Sequence, residues 1–257
     1  MAFGMKSGPA HTARLIYGAG AAVDVSSLRS AGHGMLASRA DVAGESLARR
    51  GLTGIRARCV LMLDHSGSMG HYYRSGAVQE LVERALGFAL QLDADGKIPV
   101  IPWDSRLRDG AVVGVANYRG VVGSGGRRGL WQPRDMQGTA LDLALARIRS
   151  QASVSDLPLF AMVVTDGEPD SQSKAASACA ETARYPVFLK FLALGRVRFL
   201  DQLERGQPGR LVPNVRVTTF PTLAMSDAQF AEAMADGWET WVAAATTAGI
   251  LRADAAR

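Results

Sequence analysis

Cysteine is scarce in this sequence: Cys59 and Cys179 are the only two in 257 residues. Neither belongs to a CxxC pair or to a zinc-ligand spacing, which excludes a disulfide framework and a zinc finger. Each lies among apolar or small neighbours (Cys59-Val60-Leu61-Met62 and Ala178-Cys179-Ala180), so buried free thiols in a reducing compartment are expected. Long hydrophobic runs are missing too. No apolar stretch reaches the roughly 18 residues that a membrane-spanning helix requires. Lys6 and Arg14 precede Ile16–Val23, but Gly18 and Gly20 leave that stretch too weakly apolar for the core of a signal peptide, and a cytoplasmic protein is expected. There is no G-x-S-x-G nucleophile elbow and no G-x-x-x-x-G-K-[ST] phosphate loop.

A large charge of one sign is also lacking, and the modest excess of +5 is unevenly placed. Residues 1–56 hold Lys6, Arg14, Arg29, Arg39, Arg49, Arg50 and Arg56 against Asp24, Asp41 and Glu45, which is +4 of the +5. The rest of the chain is nearly neutral, which argues against a broad nucleic-acid surface there. Apolar residues make up 47% and charged residues 21%, a globular composition and not a disordered one. The length suits one domain plus an extension.

What is present is alternation. Cys59–Leu63, Leu159–Val164 and Val187–Ala193 are short, wholly apolar or nearly apolar runs of the kind that form buried strands. Ile98–Trp103, Ala111–Val115 and Val215–Thr219 complete the strands, with Pro99 and Pro102 restricting the first of these to an edge or a short piece. Val78, Leu81, Val82, Ala85, Leu86, Ala89 and Leu90 recur at helical spacing, which predicts a helix over 77–92. Thr139 followed by Asp142 resembles a capping box opening a helix over 140–150. Lys174–Ala183 predicts another helix, and Ser226 caps a last one on which Phe230, Met234, Trp238 and Trp241 align toward the core. Strands alternating with helices imply an α/β fold: a mostly parallel central sheet with helices on both faces. Residues 1–56 show little periodicity beyond possible short strands at Arg14–Tyr17 and Val23–Leu28. They are expected to form a basic extension rich in Gly, Ala and Ser, followed by a domain over 57–250 and a tail over 251–257.

Open parallel sheets place ligand sites outside the carboxyl ends of their strands. The loop after the first buried strand is Asp64-His65-Ser66-Gly67-Ser68-Met69-Gly70. Asp64, Ser66 and Ser68 are spaced by two, so in a tight loop they can point to one side. One carboxylate and two hydroxyls are hard oxygen donors suited to Mg²⁺, Mn²⁺ or Ca²⁺ rather than zinc or copper. Gln137-Gly138-Thr139 before a helix and Thr165-Asp166-Gly167 after a buried strand fall at the same edge. DHSGS alone is also what an ordinary turn looks like; the three segments in this order are far more specific.

Asp64, Ser66, Ser68, Thr139 and Asp166 together match the metal-ion-dependent adhesion site of von Willebrand factor type A (VWA) domains. Over residues 46–250 the chain further resembles the VWA domain of bacterial tellurium-resistance and stress-response proteins. The resemblance is carried by Gly51-Leu52-Thr53-Gly54 with Arg56-Ala57-Arg58, by Asp93-Ala94-Asp95-Gly96, by Asn117-Tyr118, and by Tyr185-Pro186-Val187-Phe188 with Phe199-Leu200. It implies a Rossmann-like VWA fold, a Mg²⁺ held at those five positions, and a role in binding an acidic protein partner rather than in catalysis. Gln137 departs from the family pattern, in which a glycine is common, and His65 is bulky for its place.

Two other functions compete. A metal-dependent phosphohydrolase would use Asp64 and Asp166, but Ser66 stands where a second carboxylate would serve as acid and base. His65 is expected to be a loop-surface histidine. Nucleic-acid binding would use the basic extension with Arg127 and Arg128, or the stretch with Arg196, Arg198, Arg205 and Arg210, yet interleaved aromatics are lacking. Arg127 and Arg128 better suit steering of an acidic partner, and Trp131 in the same loop is the residue expected to make an exposed contact.

Overall fold

A computed structural model describes residues 8–123, 130–206 and 210–253. Arg127 and Arg128 lie outside the described residues. In chain order the strands are β1 (Ala13–Leu15), β2 (Arg58–Asp64), β3 (Lys97–Trp103), β4 (Ala111–Gly114), β5 (Leu159–Thr165), β6 (Val187–Leu194), β7 (Val215–Phe220) and β8 (Leu251–Ala253). The helices are α1 (Val25–Ser30), α2 (Gly34–Ala48), α3 (Gly70–Ser75), α4 (Ala77–Ala89), α5 (Leu141–Ala152), α6 (Gln172–Thr182), α7 (Arg198–Arg205), α8 (Asp227–Ala235) and α9 (Trp238–Thr247).

Six strands form one sheet in the order β4-β3-β2-β5-β6-β7, parallel except for β4. Side chains alternate across it. Cys59, Leu61 and Leu63 of β2, with Phe160, Met162 and Val164 of β5, enter a core under α2, α4, α8 and α9. Val60, Met62, Leu159, Ala161 and Val163 enter a second core under α5, α6 and α7. Burial on both faces is what makes these runs continuously apolar. The chain leaves β2 toward β3 on one side and returns to β5 on the other, so a topological switch point lies at the carboxyl end of β2.

β3 is neither short nor at the edge, despite its prolines. Pro99 precedes the first residue in register with β2 (Leu61 with Val100), and Pro102 follows the last in register with β4 (Val100 with Ala111). Each missing N–H therefore falls where the ladder on its side is absent. The last predicted helix is two. Gly237, at φ 81°, breaks it after Asp236, leaving Phe230 and Met234 on α8 and Trp238 and Trp241 on α9. All four side chains are still buried, and Ser226 caps α8 with a full capping box.

The described part of the expected basic extension, residues 8–56, packs against the domain expected over 57–250. β1 pairs in parallel with β8, so residues 251–253 of the expected tail are also structured. The stretch at Val23–Leu28 runs into helix α1 rather than a strand. α2 packs on α4 and α8, burying Leu36, Ala37, Ala40 and Ala43 in the same core as Phe160 and Trp238. Its charges are met largely by acids far along the chain. Arg39 bonds Glu83 at 2.7 Å and Asp227 at 3.3 Å, Arg49 and Arg50 pair with Glu232, and Arg50 also reaches Glu239 at 3.2 Å. Arg56 donates to the Gly20 carbonyl at 2.8 Å. The +4 excess is thus not a free polycationic arm, and the nucleic-acid reading loses its main support.

Lys190 is the one charged residue in the apolar run of β6, and it is fully buried. Burial pulls its ammonium down to about 8, against the partial support of Asp236, whose carboxylate is 3.8 Å away. Between about pH 8 and the ordinary lysine value of 10.5 the unfolded chain holds a proton that the folded chain has released. Stability from this group therefore rises with pH across that window, and the penalty is fullest below it. Lys190→Met leaves Asp236 paired with Arg216 at 2.6 Å, so no carboxylate is orphaned. The stability of the wild type relative to Lys190→Met should rise between pH 7 and pH 10, by on the order of 3 kcal/mol at most. Denaturant unfolding at the two pH values measures it; a difference independent of pH would show that Lys190 stays charged throughout.

Candidate metal centre

The five residues singled out in the sequence come from three loops at the switch point. Asp64 ends β2, between β3 and β5, and is fully buried. Its Oδ1 accepts the Ser66 N–H at 2.7 Å, and its Oδ2 accepts the Thr165 hydroxyl. Its carbonyl accepts the Tyr73 hydroxyl at 3.1 Å. Burial raises the Asp64 carboxyl to about 6, opposed by the bonds from Ser66 and Thr165, with nearby Asp166 raising it further.

From Asp64 the donors run outward to solvent. Ser66 is buried, and its Oγ lies 3.2 Å from the Oγ of exposed Ser68. Ser68 donates to Asp166 Oδ1 at 2.7 Å. Asp166, half-buried, follows β5. Thr139 is 7% exposed, and its Oγ1 faces Gly167, where a β-carbon would lie 3.7 Å from it. Thr139 does not cap α5: the cap position is Ala140, with no side-chain bond, so the expected capping box is absent. The hydroxyl lies beside Gly167, the residue after Asp166.

Backbone bonds sew the loops together. Gly67 N–H donates to the Gln137 carbonyl at 3.1 Å, beside a bridge between Ser66 and Gln137. Gly138 N–H donates to Ser105 Oγ at 3.1 Å, and Ala140 N–H to the Asp104 carbonyl at 3.0 Å. Thr139 N–H donates to Asp170 Oδ2 and Asp170 N–H to the Thr139 carbonyl, each at 2.9 Å.

His65 is not on the surface: it is 3% exposed. Its Nε2 lies 2.8 Å from the Gln132 carbonyl, which can only accept, so Nε2 carries the proton. Nδ1 faces Asp104 Oδ2 at 3.8 Å without a hydrogen bond. Burial lowers the imidazole, reinforced by the Arg108 guanidinium. The ring meets Tyr73 edge-on at 5.1 Å. Trp131 is half-buried, with its indole N–H on the Asp109 carbonyl at 2.8 Å, and so is not a free contact residue.

Sequence reasoning passed over Asp104 and Asp170, and gave Thr165 no role beyond its place in the Thr-Asp-Gly segment. Asp104, directly after β3, is fully buried and accepts from Arg108 Nε at 2.7 Å and Arg106 N–H at 3.1 Å. Its place directly after a strand was the available signal. Thr165 and Asp170 flank Asp166 in one Thr-Asp-Gly-Glu-Pro-Asp stretch.

The residues fit a hard divalent cation by their chemistry: two carboxylates and three hydroxyls, all oxygen, graded from buried to exposed. Among the described residues no cluster of three or more His, Cys, Asp or Glu side chains could hold a metal. A site here would depend on the hydroxyls. Nor is any described helix long and apolar enough to cross a membrane.

A family model described as the vWA found in the TerF C terminus matches residues 56–251. The uncharacterized protein YcbR of Bacillus subtilis (strain 168) is 27% identical over 216 residues, covering 80% of this chain and 86% of YcbR. The solved structure of a von Willebrand factor type A protein from Catenulispora acidiphila shares the fold with a TM-score of 0.50 at 16% identity. The match covers 71% of this chain and 43% of that one, so this chain spans under half of its length.

Proposed function

The chain belongs to the vWA-TerF-like family, and from that membership we propose that it is a metal-dependent protein-binding module serving a tellurium-resistance or stress-response assembly in the bacterial cytoplasm. Asp64, Ser66, Ser68, Thr139 and Asp166 would hold the ion, Mg²⁺ by the preference of the donors, with Mn²⁺ or Ca²⁺ as substitutes. When bound, the cation supplies a Lewis-acidic position for a carboxylate oxygen of an acidic partner. What supports this reading is that the three loops carrying these five oxygen donors, only two of them carboxylates, are hydrogen-bonded to one another at the switch point. Neutral hydroxyls leave an ion with more residual charge for an incoming anion than a carboxylate cage would.

The protein's own groups have separable tasks. Asp64 orders the Ser66 backbone from within the core. Ser68 and Asp166 form the exposed side, where a partner would arrive. The hydrolase reading is less favoured: Ser66, a hydroxyl, stands where its second carboxylate would be, and His65 Nε2 is tied to the Gln132 carbonyl.

A pull-down with the purified chain tests the proposal. A partner should be retained with Mg²⁺, released by a chelator, and recovered on adding Mg²⁺ back. The same partners bound equally with and without chelator would sink the metal-dependent reading. Turnover of a phosphate ester lost in the Asp64→Ala variant would favour the hydrolase instead.

A further inference from the structure

We infer that Asp170 is a positioning residue for the proposed metal centre, acting by holding Thr139 in place; the inference rests on reading Thr139 as part of that centre. The two residues come from different loops and exchange two hydrogen bonds. The Asp170 carboxylate takes the Thr139 N–H, and the Asp170 N–H meets the Thr139 carbonyl, both at 2.9 Å. Thr139 is not the cap of α5; its carbonyl also accepts Leu141 N–H at 3.0 Å, while its N–H is held by Asp170. With its N–H and carbonyl both fixed by Asp170, the direction of its side chain is set from outside the site.

Two neighbours show how the clamp is built. A β-carbon at Gly138 would lie 2.5 Å from Asp170 Oδ2, so the carboxylate closes directly on bare backbone. The sequence departs from the family pattern at Gln137 but keeps glycine where this approach needs it. On the other side, Ser171 caps α6, its Oγ accepting Lys174 N–H at 3.4 Å, which anchors Asp170 at a helix entrance.

The three acids of this loop have different partners. Asp166 takes the Ser68 hydroxyl, and Glu168 takes Arg198 N–H at 2.7 Å and Phe199 N–H at 3.2 Å at the start of α7. Asp170 alone reaches the Thr139 segment. Because Asp166 and Asp170 share one short loop, the clamp also ties the Asp166 loop to Thr139. Removing a group that orients a ligand from behind lowers metal affinity by roughly 10–100-fold in established metal sites.

The test separates orientation from charge. In metal-free protein the exchange rate of the Thr139 amide is followed by NMR, and in parallel Mg²⁺ affinity is measured by calorimetry. Asp170→Ala should speed Thr139 exchange and weaken Mg²⁺ by about tenfold. Asp170→Asn keeps an acceptor oxygen without the charge and should restore most of both. Gly138→Ala, which displaces the carboxylate, should behave like Asp170→Ala and serves as the second variant if the first does not fold. Unchanged Thr139 exchange in Asp170→Ala overturns the inference. So does an Asn variant that binds Mg²⁺ as poorly as the Ala variant while its Thr139 exchange stays slow, because that assigns the effect to charge. Wild-type protein that binds none of Mg²⁺, Mn²⁺ or Ca²⁺ is a separate failure, of the metal reading itself.

Discussion

Deleting residues 1–45 should abolish cooperative folding, not trim a flexible arm. The segment carries β1, α1 and nearly all of α2. Leu36, Ala37, Ala40 and Ala43 are buried against the same core as the central sheet, and their loss would bare the faces of α4 and α8. Leu36→Ala alone should cost about 2–5 kcal/mol, as for other fully buried leucines. Domains of this kind are stable by only about 5–15 kcal/mol, so loss of the whole layer exceeds the margin. The deletion also removes Arg39, a 7%-exposed side chain that joins Glu83 on α4 to Asp227 on α8. Arg84, bonded to Asp227 at 2.7 Å, would remain as the only tie of this kind between those helices among the described residues. Circular dichroism during thermal melting decides it. A truncated chain that melts cooperatively within a few degrees of the full chain would mean that α2 is an appendage after all.

That segment shows where the sequence was hard to read. α2 is Gly-Met-Leu-Ala-Ser-Arg-Ala-Asp-Val-Ala-Gly-Glu-Ser-Leu-Ala. Its buried side holds three alanines, a serine and an arginine beside only two leucines, so the contrast that marks an amphipathic helix is weak, although small residues are what allow close helix packing. Arg39 on the helix and Arg49 just after it have acidic partners 188 and 183 residues away. Net charge counted along the chain cannot anticipate such pairing. β2, β5 and β6 were legible for the opposite reason: burial on both faces writes an apolar run, broken within by Lys190 of β6 alone.

The site divides in the same way. The three loops could be found because DHSGS, Gly-Thr and Thr-Asp-Gly are local signatures attached to strands or a helix. His65 was misplaced because nothing beside it indicates burial; the Gln132 carbonyl that fixes its ring is 67 residues away. Thr139 was taken for a cap because Thr followed by an acid has that form. The chain begins α5 after Ala140 instead, which keeps the Thr139 hydroxyl beside Gly167. The break at Gly237 was signalled by Asp236-Gly237, a turn pair, but the regular spacing of Phe230, Met234, Trp238 and Trp241 concealed it.

Asp64→Ala should reduce Mg²⁺ affinity by at least 100-fold while leaving the fold in place. A direct ligand costs more than an orienting group, whose loss is worth roughly 10–100-fold. Asp64 is proposed as a ligand and also orders Ser66 through its N–H, so two donors suffer together. The metal-free fold should tolerate the change. The variant orphans the Ser66 N–H and the Thr165 hydroxyl, at about 1–3 kcal/mol for an unsatisfied buried group. It also removes a fully buried carboxylate, whose desolvation opposes folding. The two effects oppose each other, so the metal-free melting temperature should move by only a few degrees. Mg²⁺ separates the proteins: a ligand at 100 times its Kd stabilises the wild type by about 2.7 kcal/mol, and a variant binding at least 100-fold more weakly should gain at most about 0.4 kcal/mol. Asp64→Asn, of the same shape, should lose the Mg²⁺ effect as well, which assigns it to charge rather than to a cavity. Equal Mg²⁺ affinity in wild type and Asp64→Ala, measured by calorimetry, would falsify the assignment of Asp64 and leave the five-donor convergence without its deepest member.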